Sequence, residues 1–269
     1  MKILITGGLG HIGSALVKDL SKSIKYCKIT IIDNFLSERY CSIFNLNKNN
    51  IHFKFHNIDL NFKNNNLEKI IKNNNIVVHL AAITDAASSF EKPIQVSKNN
   101  YNSTKNIVEL CSIYKKKLIF ISTTSVYGQQ DNLVNEECSI NKLKPQSPYA
   151  KSKIREEKLI NYMREKYNLK SAICRFGTIY GTSIGMRFHT AVNKFCLQSK
   201  IKEPLTVWKT ALNQKRPYLY IDDATGAINH IIKKNLFNGN TYNILTSNLT
   251  VRNIINEIKK YNKNIKINL

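Results

Sequence analysis

Short apolar runs alternate along the chain with longer stretches whose apolar positions recur every three or four residues. The first kind predicts buried strands and the second predicts amphipathic helices. Strands are expected at Lys2–Thr6, Lys28–Ile32, Ile51–Phe55, Ile76–Leu80, Leu118–Ile121 and Ser171–Arg175. Helices are expected over 14–20, 67–72, 100–114 and 149–165. Ile76-Val77-Val78 is wholly apolar, which marks a central strand buried on both faces. Such alternation predicts a doubly wound parallel sheet. Residues 128–147 are polar, with Asn132, Asn135, Pro145 and Ser147, and read as a loop. From about Gly181 the rhythm weakens: Arg187–Leu197 suggests a helix, Leu205–Trp208 a short strand, Arg216–Ala224 a strand entering a helix, and Thr250–Tyr261 a last helix. The expected organisation is one α/β unit over 1–180 and a smaller lobe over 181–269, with 216–235 returning to the main unit.

The 269 residues and 42% hydrophobic content suit a globular core. No apolar run approaches the ~18 residues needed to span a bilayer, and the first strand begins at Lys2, so a cytoplasmic protein without membrane partners is expected. Six dispersed cysteines form no metal-ligand or redox spacing, and no metal is expected. A formal charge of +23 raises the question of nucleic acid. The excess is lysine scattered among asparagine and isoleucine, all with A/T-rich codons, and arginine, the better phosphate reader, is scarce. A dedicated nucleic-acid partner is therefore not expected.

Chemistry enters at the first strand. Lys2–Thr6 leads into Gly7-Gly8-Leu9-Gly10-His11-Ile12-Gly13 and then a helix. Glycines at this spacing permit a tight turn and a close approach of backbone to pyrophosphate, whose charge meets the helix N-terminus. The second strand runs into Asp33, where a carboxylate suits ribose hydroxyls and repels a 2′-phosphate, so NAD is favoured over NADP. A Rossmann-type fold follows. Later in the chain, Thr123 lies at the end of the fifth strand, and Tyr149-Ala150-Lys151-Ser152-Lys153 opens a helix. Tyr149 and Lys153 form an i, i+4 pair, so the ammonium is expected beside the phenol, lowering its pKa toward the range useful for proton transfer.

In this order the residues resemble the extended short-chain dehydrogenase/reductase family, in particular its NAD-dependent sugar-nucleotide epimerases and dehydratases of the UDP-glucose 4-epimerase kind. The glycine pattern, Asp33-Asn34, Asp59-Leu60, His79-Leu80-Ala81-Ala82, Asn100 with Thr104 and Asn106, Thr123 with Val126-Tyr127-Gly128, Tyr149 with Lys153, and Arg175 with Tyr180-Gly181 all fall in family order. The resemblance implies Tyr149 as acid/base, Lys153 on the nicotinamide ribose and Thr123 on the reacting hydroxyl. It implies cofactor contacts from Gly7, Gly10, His11, Ile12, Gly13, Asp33, Asn34, Asp59, Leu60, Leu80, Ala81, Ala82 and Asn100, besides Tyr149 and Lys153. Thr84, Thr124, Thr178, Arg187 and Arg216 are the implied substrate contacts, with 181–269 as a substrate-binding lobe. A homodimer through two helices per subunit is likewise implied.

Departures bear on the substrate. The family's 4,6-dehydratases carry Asp-Glu after the catalytic threonine, where this chain has Thr124-Ser125. Thr178 and Thr182 stand where asparagine and proline are usual, and Lys209–Gln214 replaces a glycine-rich loop, with Pro217 in place of aspartate. Many relatives continue past the position of Leu269, so a shortened lobe is expected. The implied activity is inversion at C4 of a nucleotide sugar through a transient 4-keto sugar. Alternatives are a sugar-nucleotide dehydrogenase or reductase, an atypical dehydratase, and a noncatalytic NAD- or RNA-binding member.

Overall fold

A computed structural model describes residues 1–23, 27–44, 46, 52–85, 88–130 and 133–268. Ile51 and Asn132, placed above in a strand and a loop, lie outside the described residues. In chain order the elements are β1 (Lys2–Thr6), α1 (His11–Ser23), β2 (Lys28–Asp33), β3 (His52–Asn57), α2 (Asn65–Lys72), β4 (Ile76–His79), α3 (Pro93–Ile113), β5 (Lys117–Thr123), α4 (Pro148–Tyr167), β6 (Ser171–Phe176), β7 (Thr178–Tyr180), α5 (Ala191–Lys200), β8 (Leu205–Thr206), β9 (Arg216–Tyr220), α6 (Ile221–Lys234), β10 (Thr241–Ile244), β11 (Ser247–Leu249), α7 (Val251–Tyr261) and β12 (Ile267–Asn268).

The main sheet has the order β10-β6-β5-β4-β1-β2-β3, and every neighbouring pair is parallel. Successive residues of a strand point to opposite faces. On one face, Ile3, Ile5, Ile29, Ile31, Val78, Ile119 and Cys174 pack with Leu16, Val17 and Leu20 of α1 and Ile228 and Ile231 of α6. On the other, Leu4, Val77, Leu118, Phe120 and Ile173 meet Leu67 of α2, Ile107 and Val108 of α3, and Ile160 and Met163 of α4. Burying each such side chain stabilises the fold by about 1.5–3 kcal/mol. These two layers account for the doubly wound α/β architecture.

The seventh strand of this sheet, β10, has no counterpart in the sequence reading. Of the segment 216–235, α6 packs on α1, whereas β9 leaves the main sheet and pairs with β7 and β11. That three-stranded sheet, the β8–β12 pair, α5 and α7 enclose a second core of Phe195, Leu205, Val207, Tyr218, Val251, Ile254 and Ile255. Helix α5 begins at Ala191, after Thr190, so Arg187 stands on the irregular segment before it and not on a helix as expected. The asparagine clusters are helix punctuation. Asn64 Oδ1 accepts the Leu67 N–H at 2.7 Å and caps α2, while Asn74 Nδ2 donates to Ile70 O at its far end. No described helix is long and apolar enough to cross a membrane.

Candidate functional site

The glycine turn joins β1 to α1 with its exits fixed. The Gly7 N–H donates to Ile32 O at 2.8 Å with φ +66°, and a methyl group there would lie 2.7 Å from the Ala81 nitrogen. At Gly13 a methyl group would sit 2.4 Å from Gly7 O, so only glycine lets α1 press on the turn. The Gly10 N–H donates to Gly7 O at 3.1 Å. Ile12 packs against the first core, and the next strand end contributes Leu80 and Ala81, whose N–H groups donate to Thr6 O and Thr6 Oγ1, followed by partly buried Ala82. Asp33 accepts from the Leu9 N–H at 3.1 Å and the Phe35 N–H at 3.0 Å, and exposed Asn34 accepts from the Leu36 N–H at 3.1 Å.

His11 is buried with Nε2 3.0 Å from Gly181 O, and burial lowers its pKa to about 4. It is therefore neutral near pH 7 and ties the turn to the lobe. Around it runs a strap the motifs do not reveal. Ser183 Oγ donates to His11 O at 2.9 Å, the Gly185 N–H donates to Ser14 Oγ at 3.0 Å, and a methyl group on Gly185 would meet Leu9 O at 2.3 Å.

Of the remaining implied cofactor residues, Asp59 accepts from Asn61 at 2.9 Å, and Leu60 is buried with its carbonyl accepting from Asn106 Nδ2. Asn100 is fully buried and clamps Ile83 by two bonds, accepting its N–H at 2.8 Å and donating to its carbonyl at 3.0 Å.

Thr123 ends β5 at the carboxyl edge, and its Oγ1 accepts the Ser125 N–H at 3.1 Å. Ser147 caps α4 through the Ala150 N–H at 3.1 Å, with Pro148 in the first turn, which sets Tyr149 at the start of the helix. The phenol is pushed up by burial and by the Glu156 carboxylate, and Arg187 opposes both. This corrects the expected electrostatics. Lys153 Nζ pairs with Glu156 Oε2 at 3.0 Å and lies 4.5 Å from the Phe120 ring centroid, so its charge is committed to a carboxylate one helical turn on. The physical reason is that Glu156 is fully buried, and a buried carboxylate needs a counter-charge. Its position three residues after Lys153 was a signal available in the sequence.

Thr84 and Arg187 come together, Nη1 donating to Oγ1, close enough to Tyr149 for the guanidinium to act on the phenol. Three other implied substrate residues have partners elsewhere. Thr124 donates to Phe176 O at 3.2 Å, Thr178 sits in β7 opposite Tyr218, and exposed Arg216 donates to Gln214 at 2.7 Å.

Similarity to known proteins identifies the family. A model of the NAD dependent epimerase/dehydratase family matches residues 3–244. The chain is 36% identical to a dTDP-D-glucose 4,6-dehydratase of Dictyostelium discoideum, covering 95% of this chain and 62% of that protein's length. It is 31% identical to an uncharacterized UDP-glucose epimerase of Bacillus subtilis over 91% of this chain and 76% of the relative. A UDP-glucuronic acid 4-epimerase from Bacillus cereus, solved with UDP-glucuronic acid and NAD, superposes with a TM-score of 0.88 at 30% identity, covering 100% of this chain and 85% of that one. With the family model spanning β1 through β10 and so taking in the whole main sheet, the chain belongs to the NAD dependent epimerase/dehydratase family.

Proposed function

We propose that the protein is an NAD-dependent sugar-nucleotide epimerase that inverts C4 through a transient 4-keto sugar. The observation that carries this reading is the convergence, at the carboxyl edge of one sheet, of a glycine turn facing Asp33 with Thr123 and the start of α4, where Arg187 acts on the Tyr149 phenol. The turn fits a dinucleotide, because Gly7 and Gly13 leave backbone where a side chain would stand and α1 presents its N-terminus there. When bound, NAD supplies the reversible removal and return of the C4 hydrogen. Tyr149 Oη takes the proton of the C4 hydroxyl and gives it back, and Thr123 Oγ1 bonds the same oxygen. Lys153 holds the nicotinamide ribose. Arg187, steadied by Thr84, meets the substrate's anionic groups, with Thr124, Thr178 and Arg216 further out. The lobe beyond 181 covers the sugar, and His11 and Ser183 tie it to the cofactor turn.

Dehydration is the second reading, because the Dictyostelium relative is named a 4,6-dehydratase. Against it, Thr124 and Ser125 occupy the place of the acid and base, and the Thr124 hydroxyl is engaged with Phe176 O. A homodimer belongs to the same proposal, with exposed Ile94 and Ile113 of α3 as apolar surface for a second copy to cover.

Incubation with UDP-, GDP-, CDP- and dTDP-sugars tests the reading: one sugar is interconverted with its C4 epimer, and conversion of none refutes it. Cofactor choice is a separate expectation. Asp33 meets a 2′-phosphate with like charge, so calorimetry is expected to give NAD at least tenfold tighter binding than NADP, on the order of 1.4 kcal/mol or more. Equal affinities contradict the role of Asp33.

A further inference from the structure

One buried carboxylate beside the catalytic residues has no part in the mechanism above. Glu156 Oε1 accepts from Ser152 Oγ at 2.5 Å, and Oε2 accepts from Thr104 Oγ1 at 2.8 Å and Lys153 Nζ at 3.0 Å. Thr104 Oγ1 lies 3.1 Å from His79 Nε2, and His79 Nδ1 lies 2.7 Å from Thr6 Oγ1. Thr6 Oγ1 accepts the Ala81 N–H at 3.3 Å.

An ionised carboxylate can only accept, and each hydroxyl has one proton, so the bonds between His79 Nε2 and Glu156 have a set direction. Thr104 gives its proton to Glu156 and must accept from His79 Nε2–H. His79 Nδ1 is then the acceptor for the Thr6 hydroxyl, which leaves the Thr6 oxygen for the Ala81 N–H. Nδ1 can accept only in a neutral His79. Burial, aided by the Lys153 charge, lowers its pKa to about 3, which meets that requirement.

We propose that Glu156 is a positioning residue acting through Lys153: its charge anchors the ammonium over the Phe120 ring of β5 and orients a hydrogen-bonded chain through Thr104 of α3 that ends on the Ala81 backbone beside Gly7. The catalytic helix and the cofactor turn are thereby held in one register. The Glu156 charge also acts on the Tyr149 phenol, which lies on the same helix. The charged groups acting on that phenol are Glu156 from α4 and Arg187 from the segment before α5, with Asp85 and Arg39 acting in turn on Arg187. Around Glu156 itself stand Lys153 on the same helix, Thr104 on α3 and neutral His79 on β4.

The inference rests on Tyr149 as the proton-transfer group. A negative charge favours the protonated phenol, so its removal eases ionisation, and activity that needs phenolate then begins at lower pH. In NAD-saturated enzyme, Glu156→Gln is expected to move the acid limb of the kcat/KM profile down by about one pH unit, and Glu156→Asp to leave it near the wild-type position. An unmoved limb in a folded Glu156→Gln protein, or an equal shift with Asp, overturns the proposal. Should the Gln variant not fold, ¹⁵N spectra of the wild-type holoenzyme decide: the Nε2–H tautomer of neutral His79 at pH 6 supports it, and the Nδ1–H tautomer or an imidazolium overturns it. An active Tyr149→Phe enzyme would instead remove the reading on which the inference rests.

Discussion

Tyr149→Phe is expected to lower turnover by at least about 100-fold while leaving NAD affinity within a factor of about three, because the change removes one hydroxyl and keeps the ring. Tyr149 lies in the first turn of α4, and its phenol is kept protonated by burial and by Glu156. A phenol with a raised pKa is held protonated and gives its proton up less readily, so acting as acid or base it depends on the positive charges that the bound state brings near it. Arg187 already acts in that direction. Steady-state turnover with the accepted nucleotide sugar, paired with calorimetry for NAD, separates the two effects. Wild-type turnover in the variant refutes the assignment.

The second large effect concerns stability. Arg175 and Glu157 form a buried bidentate pair, Nε to Oε1 at 3.1 Å and Nη2 to Oε2 at 2.7 Å. Ser122 donates to the same carboxylate at 2.5 Å, and Arg175 Nη1 donates to Tyr127 Oη, which donates on to Asn243 of β10. The network ties β5, α4, β6 and β10 together directly behind Thr123. Arg175→Met leaves the Glu157 carboxylate buried without a counter-charge, so a loss of about 3–5 kcal/mol in unfolding free energy is expected. The double variant Arg175→Met with Glu157→Leu should recover most of it, since no charge is then stranded. Urea denaturation of both measures the difference. A single variant costing less than about 1 kcal/mol would show that the pair is not what holds these elements.

Legibility from sequence followed the range of the interactions involved. The strands of the main sheet up to β6 and the glycine turn are written in local periodicity and spacing, and the structure has them where the pattern puts them. Strand β10, Thr-Tyr-Asn-Ile, alternates over only four residues, too short a pattern to mark a strand, and its place is set by pairing with distant Ile173–Phe176. Sheet membership of β9 is equally nonlocal: the pattern identifies a strand, but only tertiary packing assigns it to β7 and β11. Within the candidate site, the types and spacing of Thr123, Tyr149 and Lys153 were readable, and so were two possible partners for Lys153, but not the choice between them. The i, i+4 geometry offers the phenol and the i, i+3 geometry offers Glu156, and burial of the carboxylate decides between them. The strap over the glycine turn depends on Gly185 and Ser183, single residues far from the turn in sequence, and nothing local marks them.

In the proposed reaction C4 is inverted while its hydrogen leaves and returns to the same carbon. This is tested most directly by incubating the enzyme with its accepted nucleotide sugar deuterated at C4 and locating the label by NMR in the products. Two C4 epimers are expected at equilibrium, both with deuterium at C4, and no net rise in NADH absorbance. Deuterium at C6 of a product that has lost water, or stoichiometric NADH with a stable 4-keto sugar, would contradict it.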